Sequence, residues 1–120
     1  MTPLKVKQKL FEARDVIHDL HLNTDRYEIH VALNKFYTEW TELLDKFLET
    51  YYGKYNGIKG SMTIDCNTDL DLNMYLKGLM LFLNTDIETI IDKDLDSDLQ
   101  NVIADMKSLV NHTFYFLSLK

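Results

Sequence analysis

Two histidines, His21 and His30, stand nine positions apart, and two carboxylates, Asp45 and Glu49, follow fifteen and nineteen positions after the second. Imidazole nitrogen combined with carboxylate oxygen suits iron, zinc or manganese better than calcium. His30, Asn34, Tyr37, Thr41, Asp45 and Glu49 recur at spacings of three or four. They therefore form one polar stripe on a helix. Within such a set Asn34, Tyr37 and Thr41 could orient the ligands by hydrogen bonds. A polar stripe is more often a wetted face than a site, so geometry has to decide. Fifteen helical residues rise about 22 Å, whereas ligand bonds are only ~2 Å long. One ion cannot reach His30 and Asp45 of the same chain. Two copies packed antiparallel about a two-fold axis near Tyr37 and Trp40 remove the obstacle. His30 of one copy then faces Asp45 and Glu49 of the other, and two equivalent shared sites result. His21 joins His30 if it closes the preceding helix.

The elements that must position these groups are legible as helices. Pro3 suits a first helical turn, and Leu10, Ala13, Ile17 and Leu20 repeat at helical spacing, which predicts a first helix over about residues 3–22. Asp25 and Glu28 form a capping-box pattern that would open a second helix. Its apolar side is expected to carry Val31, Phe36, Trp40, Leu43, Leu44, Phe47 and Tyr51, and Gly53 is a fitting stop. The connection that follows holds three of the four glycines, with SMTIDC as a candidate extended piece. A third helix is expected over about residues 70–83, with a further capping box at Thr85 and Glu88. A fourth begins near Ser97 and Gln100, with Val102, Ile103, Met106, Leu109, Val110, Thr113 and Phe116 or Leu117 turned inward. Four helices with one long connection between the second and third predict an all-α, ferritin-like four-helix bundle occupying residues 1–120 as one domain.

Composition narrows the function. The chain of 120 residues is 46% hydrophobic and 12% aromatic, enough for a packed core and too much for disorder. Its net charge of −6 argues against nucleic acid, because phosphate binding needs a cationic face. Lys5, Lys7 and Lys9 alternate and so do not share one helix face. A lone cysteine, Cys66, fits a reducing cytoplasm. No nearby histidine or base would activate it as a nucleophile. The longest apolar run, GLMLFL, is far short of the ~20 residues of a membrane span. Asp92, Asp94, Asp96 and Asp98 imitate the start of a calcium-binding loop, but Ser97 and Ile103 stand where that motif needs glycine and glutamate. A solvated turn is expected there. His18 and His21, three apart with Asp15 three before, read as a polar helix face. Asp105 and His112 read as a buried bracing pair on the fourth helix.

His21 in HLN, His30, Phe36–Tyr37, Asp45 and Glu49 within LLDKFLE resemble the second-helix signature of the mini-ferritins, the Dps-like branch of the ferritin-like superfamily. The same residues, with Thr24, Tyr27, Ala32–Leu33, Tyr51 and Gly53–Lys54–Tyr55, also resemble small bacteriophage proteins of unassigned function. The mini-ferritin resemblance implies an iron site at a subunit two-fold, with His21 and His30 from one chain and Asp45 and Glu49 from the other. Asn34 stands where those proteins have aspartate, and the two histidines are closer together than theirs. One anionic ligand is thus missing, which implies a weakly held metal (iron, or zinc or manganese in its place) and slow or absent iron oxidation. The bacteriophage resemblance implies an alternative: a non-catalytic accessory protein in the host cytoplasm that uses the same scaffold to bind a host protein or small ligand. The expected partner in the first case is a second copy, giving a homodimer or larger oligomer through the second helix.

Overall fold

The computed structural model describes residues 1–67 and 69–119. Four α-helices account for most of them: α1 (Pro3–Asn23), α2 (Tyr27–Tyr55), α3 (Leu72–Asn84) and α4 (Ser97–Ser118), with a short 3-10 turn at Ile87–Ile90 between the last two. No strand forms among the described residues, and SMTIDC stays irregular.

The Thr2 side chain accepts from the Lys5 N–H at 3.2 Å and caps α1, with Pro3 in its first turn. Val6, Leu10, Ala13, Val16 and Ile17 then bury one side of the helix. The capping box expected at Asp25 and Glu28 is not used. The N-cap of α2 is Arg26, which makes no side-chain cap. Its guanidinium instead pairs with Glu28 at 2.6 Å, and the Thr24 hydroxyl shapes the turn by accepting from the Arg26 N–H. At its far end α2 runs past Gly53 to Tyr55 and stops where Asn56 adopts φ 66°. Asparagine tolerates that left-handed conformation better than most residues do.

The core stripe of α2 is Ala32, Leu33, Phe36, Trp40, Leu44, Phe47, Leu48 and Tyr51. Val31 lies outside it and is exposed, contrary to the sequence expectation. Trp40 is completely buried, and its indole N–H donates to the Leu10 carbonyl at 3.0 Å. Its side chain therefore fastens α2 to α1 and is withdrawn from any contact between copies. On α4 the expected inward set is observed from Val102 to Thr113, while Phe116 is partly exposed.

Helix directions follow from paired residues. Trp40 against Leu10 and His30 against His21 make α1 and α2 antiparallel. The connection over residues 56–71 then climbs back along α1. Lys7 donates to the Ile58 carbonyl at 3.2 Å, and Cys66 feels the carboxylates of Glu12, Asp15 and Asp19. Gly60 is required at its place: φ is 138°, and an added Cβ would sit 2.7 Å from a Leu4 methyl. Lys9 lies 5.4 Å from the Tyr75 ring near the start of α3, and the Met1 ammonium reaches Thr89 just past its end. So α3 runs opposite to α1 and parallel to α2. Finally α4 returns antiparallel to α2, from Lys54 at its start to Lys35 against Phe116 near its end. One contiguous core receives side chains from all four helices.

The turn into α4 was expected to be solvated, and one of its carboxylates is not. Asp96 is completely buried. It accepts from the Tyr55 hydroxyl at 2.6 Å, from Lys54 at 2.8 Å and from the Asp92 N–H at 2.9 Å. Burial alone would raise its pKa, but these three donors outweigh burial and hold the carboxyl below its usual range. Ser97 and Gln100 do not form the expected capping box. Gln100 donates instead to Glu88 at 2.6 Å.

Removing the interhelical hydrogen bond should show in stability. Trp40→Phe leaves a void and one hydrogen bond fewer, a loss of about 1–3 kcal/mol. Urea unfolding followed by circular dichroism should show the midpoint falling with an unchanged slope; an unmoved midpoint contradicts the fastening role.

Candidate functional site

Where α1 ends and α2 begins, four rings are stacked. His18 and His21 lie one turn apart on α1, His30 lies in the first turns of α2, and Tyr37 follows two turns later. Ring centroids are 4.3 Å apart for Tyr37 and His18, 5.7 Å for His18 and His21, and 4.0 Å for His21 and His30, with interplanar angles of 18°, 16° and 27°. The His30 Nδ1 is 2.9 Å from the His21 carbonyl oxygen. A carbonyl only accepts, so Nδ1 carries the proton and Nε2 keeps its lone pair. This is the arrangement that histidine ligands of metals commonly have.

His21 is the buried member, 8% exposed, and its Nδ1 has no hydrogen-bond partner. Burial and then the neighbouring His30 push its pKa below the ordinary histidine value. The His18 backbone carbonyl pulls it partly back, and the His18 ring adds to the depression.

Of the residues singled out by sequence, the chain itself brings together His21, His30 and Tyr37. His18, expected on a polar face, is the ring between His21 and Tyr37. Its only sequence signal was the three-residue spacing from His21. Asp45 and Glu49 are exposed far down α2 and do not approach the histidines within one chain. The Thr41 hydroxyl is spent on the Tyr37 carbonyl at 2.8 Å, so it is not free to orient a ligand. Asn34 is exposed, and its carbonyl receives the Thr38 hydroxyl. Among the described residues no three His, Cys, Asp or Glu side chains are arranged to hold a metal. The stacked rings keep their nitrogen lone pairs in nearly parallel planes, and lone pairs must converge to share an ion.

Two further surfaces differ from expectation. Asp105 and His112 are both exposed and line a shallow recess with Glu39 and Glu42, so they do not brace the core. Beside the start of α2, Tyr27, Val31, Ala32, Phe116 and Leu119 line an open apolar groove of about 1010 Å³, with Arg26, Glu28 and Lys35 on its rim. Periodicity gave little warning of the groove, because it is built by the ends of two helices distant in sequence. Lys7 and Lys9 are occupied by the Ile58 carbonyl and by Glu12, which leaves no cluster of free cations on α1. Partial burial and the nearby carboxylates of Asp15, Asp19 and Glu12 raise the Cys66 pKa, the opposite of an activated thiol. No helix among the described residues is long and apolar enough to cross a membrane.

An all-helical chain with an imidazole stack at one end and free carboxylates along its longest helix is the class these observations define. The chain belongs to a family of unknown function, DUF5856, matched over residues 21–117. The match includes His21, His30, Asp45 and Glu49 and stops short of His18. The chain is similar to an uncharacterized 14.6 kDa protein of Enterobacteria phage T4, encoded in the mobD-ri intergenic region. The two are 30% identical over 111 residues, which cover 92% of this chain and 84% of the phage protein. No solved structure matches the chain.

Of the groups whose pKa folding depresses, His21 and Asp96 are the two buried ones and bear most on acid stability. A group whose pKa is lowered by folding stabilises fully above its unfolded value, and that stability is lost as pH falls through the folded value. For His21 the loss begins below about pH 6.5, and for Asp96 below about pH 4. The thermal midpoint, measured with chelator present, should therefore fall in two stages on acidification. His21→Gln should remove the first stage only; persistence of that stage in the variant would sink the assignment.

Proposed function

We propose that this protein binds a transition metal of the iron, zinc or manganese kind at a site shared by two copies. His21 and His30 come from one chain and Asp45 and Glu49 from the other. The observation that carries the reading is the imidazole pair. His21 and His30 lie 4.0 Å apart, one with a buried nitrogen that has no partner and the other with its Nε2 left free by the hydrogen bond to the His21 carbonyl. These donors fit such a metal, since imidazole nitrogen accepts borderline ions. The anionic complement is also present. Asp45 and Glu49 are exposed one turn apart on α2, and neither forms an ion pair among the described residues.

Two further features support the reading. A long crossover joining parallel second and third helices is the connectivity used by ferritin-like bundles. The outward stripe of α2 through Asn34, Thr38, Asp45 and Glu49 is also uncovered. An antiparallel pairing centred near Thr38 would set His30 against the partner's carboxylates and Lys35 near the partner's Glu42. Trp40, completely buried, takes no part.

In this site the carboxylates would neutralise the ion and the imidazoles would fix its position. When bound, the metal would supply a Lewis acid or redox centre. Asn34 contributes only neutral oxygen, so a second ion beside the first lacks compensation. We therefore assign weak or no ferroxidase activity.

The alternative is a non-catalytic accessory protein, in keeping with the bacteriophage relative. It is favoured by the exposed apolar groove of Tyr27, Val31, Phe116 and Leu119, which suits a host protein or small ligand. Titration calorimetry with zinc and with anaerobic ferrous iron, combined with sedimentation, separates the two. The metal reading expects binding that accompanies dimer formation, tighter in Asn34→Asp and lost in Asp45→Ala. A monomeric parent that takes up neither ion leaves the groove as the working surface.

A further inference from the structure

We infer that the seam between α2 and α4 is a docking groove for one α-helix of another protein, a helix apolar along one half and basic along the other. The inference deepens the accessory reading and rests on the apolar groove being its working surface. It needs no metal and no second copy.

The seam is longer than the groove alone. The groove is walled by Tyr27 and Val31 of α2 and by Phe116 and Leu119 at the end of α4. One turn further along, Glu39, Glu42 and Leu43 of α2 and Asp105, Leu109 and His112 of α4 line the shallow recess. Lys35 and Glu39 are four residues apart on α2, and Phe116 and His112 are four apart on α4. Residues at that spacing share a helix face, so groove and recess follow one line between the antiparallel helices. From Tyr27 to Leu43 that line runs about 24 Å.

The two halves of the line differ in chemistry. Tyr27 is 79% exposed, Leu119 51%, Val31 47% and Phe116 38%. Large apolar side chains exposed together around one groove mark a binding surface. A volume of about 1010 Å³ stands at the top of the range for small-molecule pockets, which enclose most of their ligand, and this groove is open. An open trough between two helices suits the apolar face of a third, with anchors at i, i+3, i+4 and i+7. The recess carries the carboxylates of Glu39, Glu42 and Asp105, and none of them forms an ion pair among the described residues. Of the cations on the groove rim, Arg26 is paired with Glu28 at 2.6 Å, while Lys35 lies over the Phe116 ring at 4.9 Å and marks the border with the recess. Its charge repels a partner's cations from the apolar half, and the carboxylates beyond it attract them. Charge complementarity therefore sets the register of the partner: apolar anchors in the groove, lysine or arginine over the recess.

The test uses the full chain with chelator present and, as probe, a labelled alanine-based helical peptide of about eighteen residues, long enough to span the seam. The peptide carries leucines at i, i+3, i+4 and i+7 in one half and lysines at the same spacing in the other. A second peptide has glutamates in place of the lysines. Fluorescence anisotropy gives the affinities, and amide NMR shifts locate the bound peptide. The inference expects the lysine peptide to bind about tenfold or more tightly than the glutamate peptide, with shifts along residues 27–43 and 105–119. Tyr27→Ser/Val31→Ser, which alters two exposed side chains, should weaken the lysine peptide about tenfold or more. Glu39→Lys/Glu42→Lys should reverse the preference between the peptides. Shifts confined to other surfaces, or parent-like affinity in Tyr27→Ser/Val31→Ser, overturn the inference. If both peptides bind equally and that variant loses both, the groove stands as a working surface and the basic-helix partner is excluded. If neither peptide binds, the inference falls and the accessory reading loses its groove. If the parent self-associates in chelator and Tyr27→Ser/Val31→Ser abolishes that, the groove belongs to a second copy and the inference is overturned.

Discussion

The register between α1 and α2 is the constraint on which the rest depends. It is set by a turn of three residues and locked by one hydrogen bond, from the Trp40 indole to the Leu10 carbonyl, buried where water cannot compete. Leu10 beside Trp40 and His21 beside His30 share one antiparallel register, and the His18 ring leans about a turn along it to stack on Tyr37. A slip of one residue would rotate the imidazoles away from one another by about 100°. The stacking of His21 on His30 therefore depends on core packing several turns away.

The two ends of α2 solve the same problem in opposite ways. Near its start the buried polar group is an imidazole whose pKa burial and then the neighbouring His30 lower. Near its end the buried group is a carboxylate, kept charged by Lys54, Tyr55 and a backbone N–H. A buried charge is tolerated when its hydrogen bonds are supplied in full, and Asp96 has three donors. The second end is thereby a structural clasp between α2 and the turn into α4. The buried His21 Nδ1, by contrast, has no hydrogen-bond partner among the described residues.

Between the ends, α2 divides its surface. One side is aliphatic and aromatic and reaches both α1 and α4. The outward side carries Tyr27 and Val31 in its first half and Glu42, Asp45 and Glu49 in its second. The first half also forms one wall of the apolar groove completed by Phe116 and Leu119. The metal reading and the accessory reading thus use neighbouring stretches of the same exposed stripe, which is why one fold supports both.

The amino-acid sequence by itself determined the helices, because helical periodicity and the scarcity of glycine and proline are local properties. It placed α1 to within a residue of its observed end and most of the α4 core correctly. It also separated His21, His30, Asp45 and Glu49 from the core stripe. Capping was less legible. The Asp25–Glu28 and Ser97–Gln100 patterns were both present and both unused, since Arg26 and Gln100 found better electrostatic partners in Glu28 and Glu88. Only the tertiary structure decided what no local pattern encodes. It turned Asp96 inward from a run of aspartates, because Lys54 arrives from forty-two residues earlier in the chain. It exposed Val31 and Phe116 together as the walls of one groove. It drew His18 into the imidazole stack, because the neighbour that ring meets is chosen by the register of another helix.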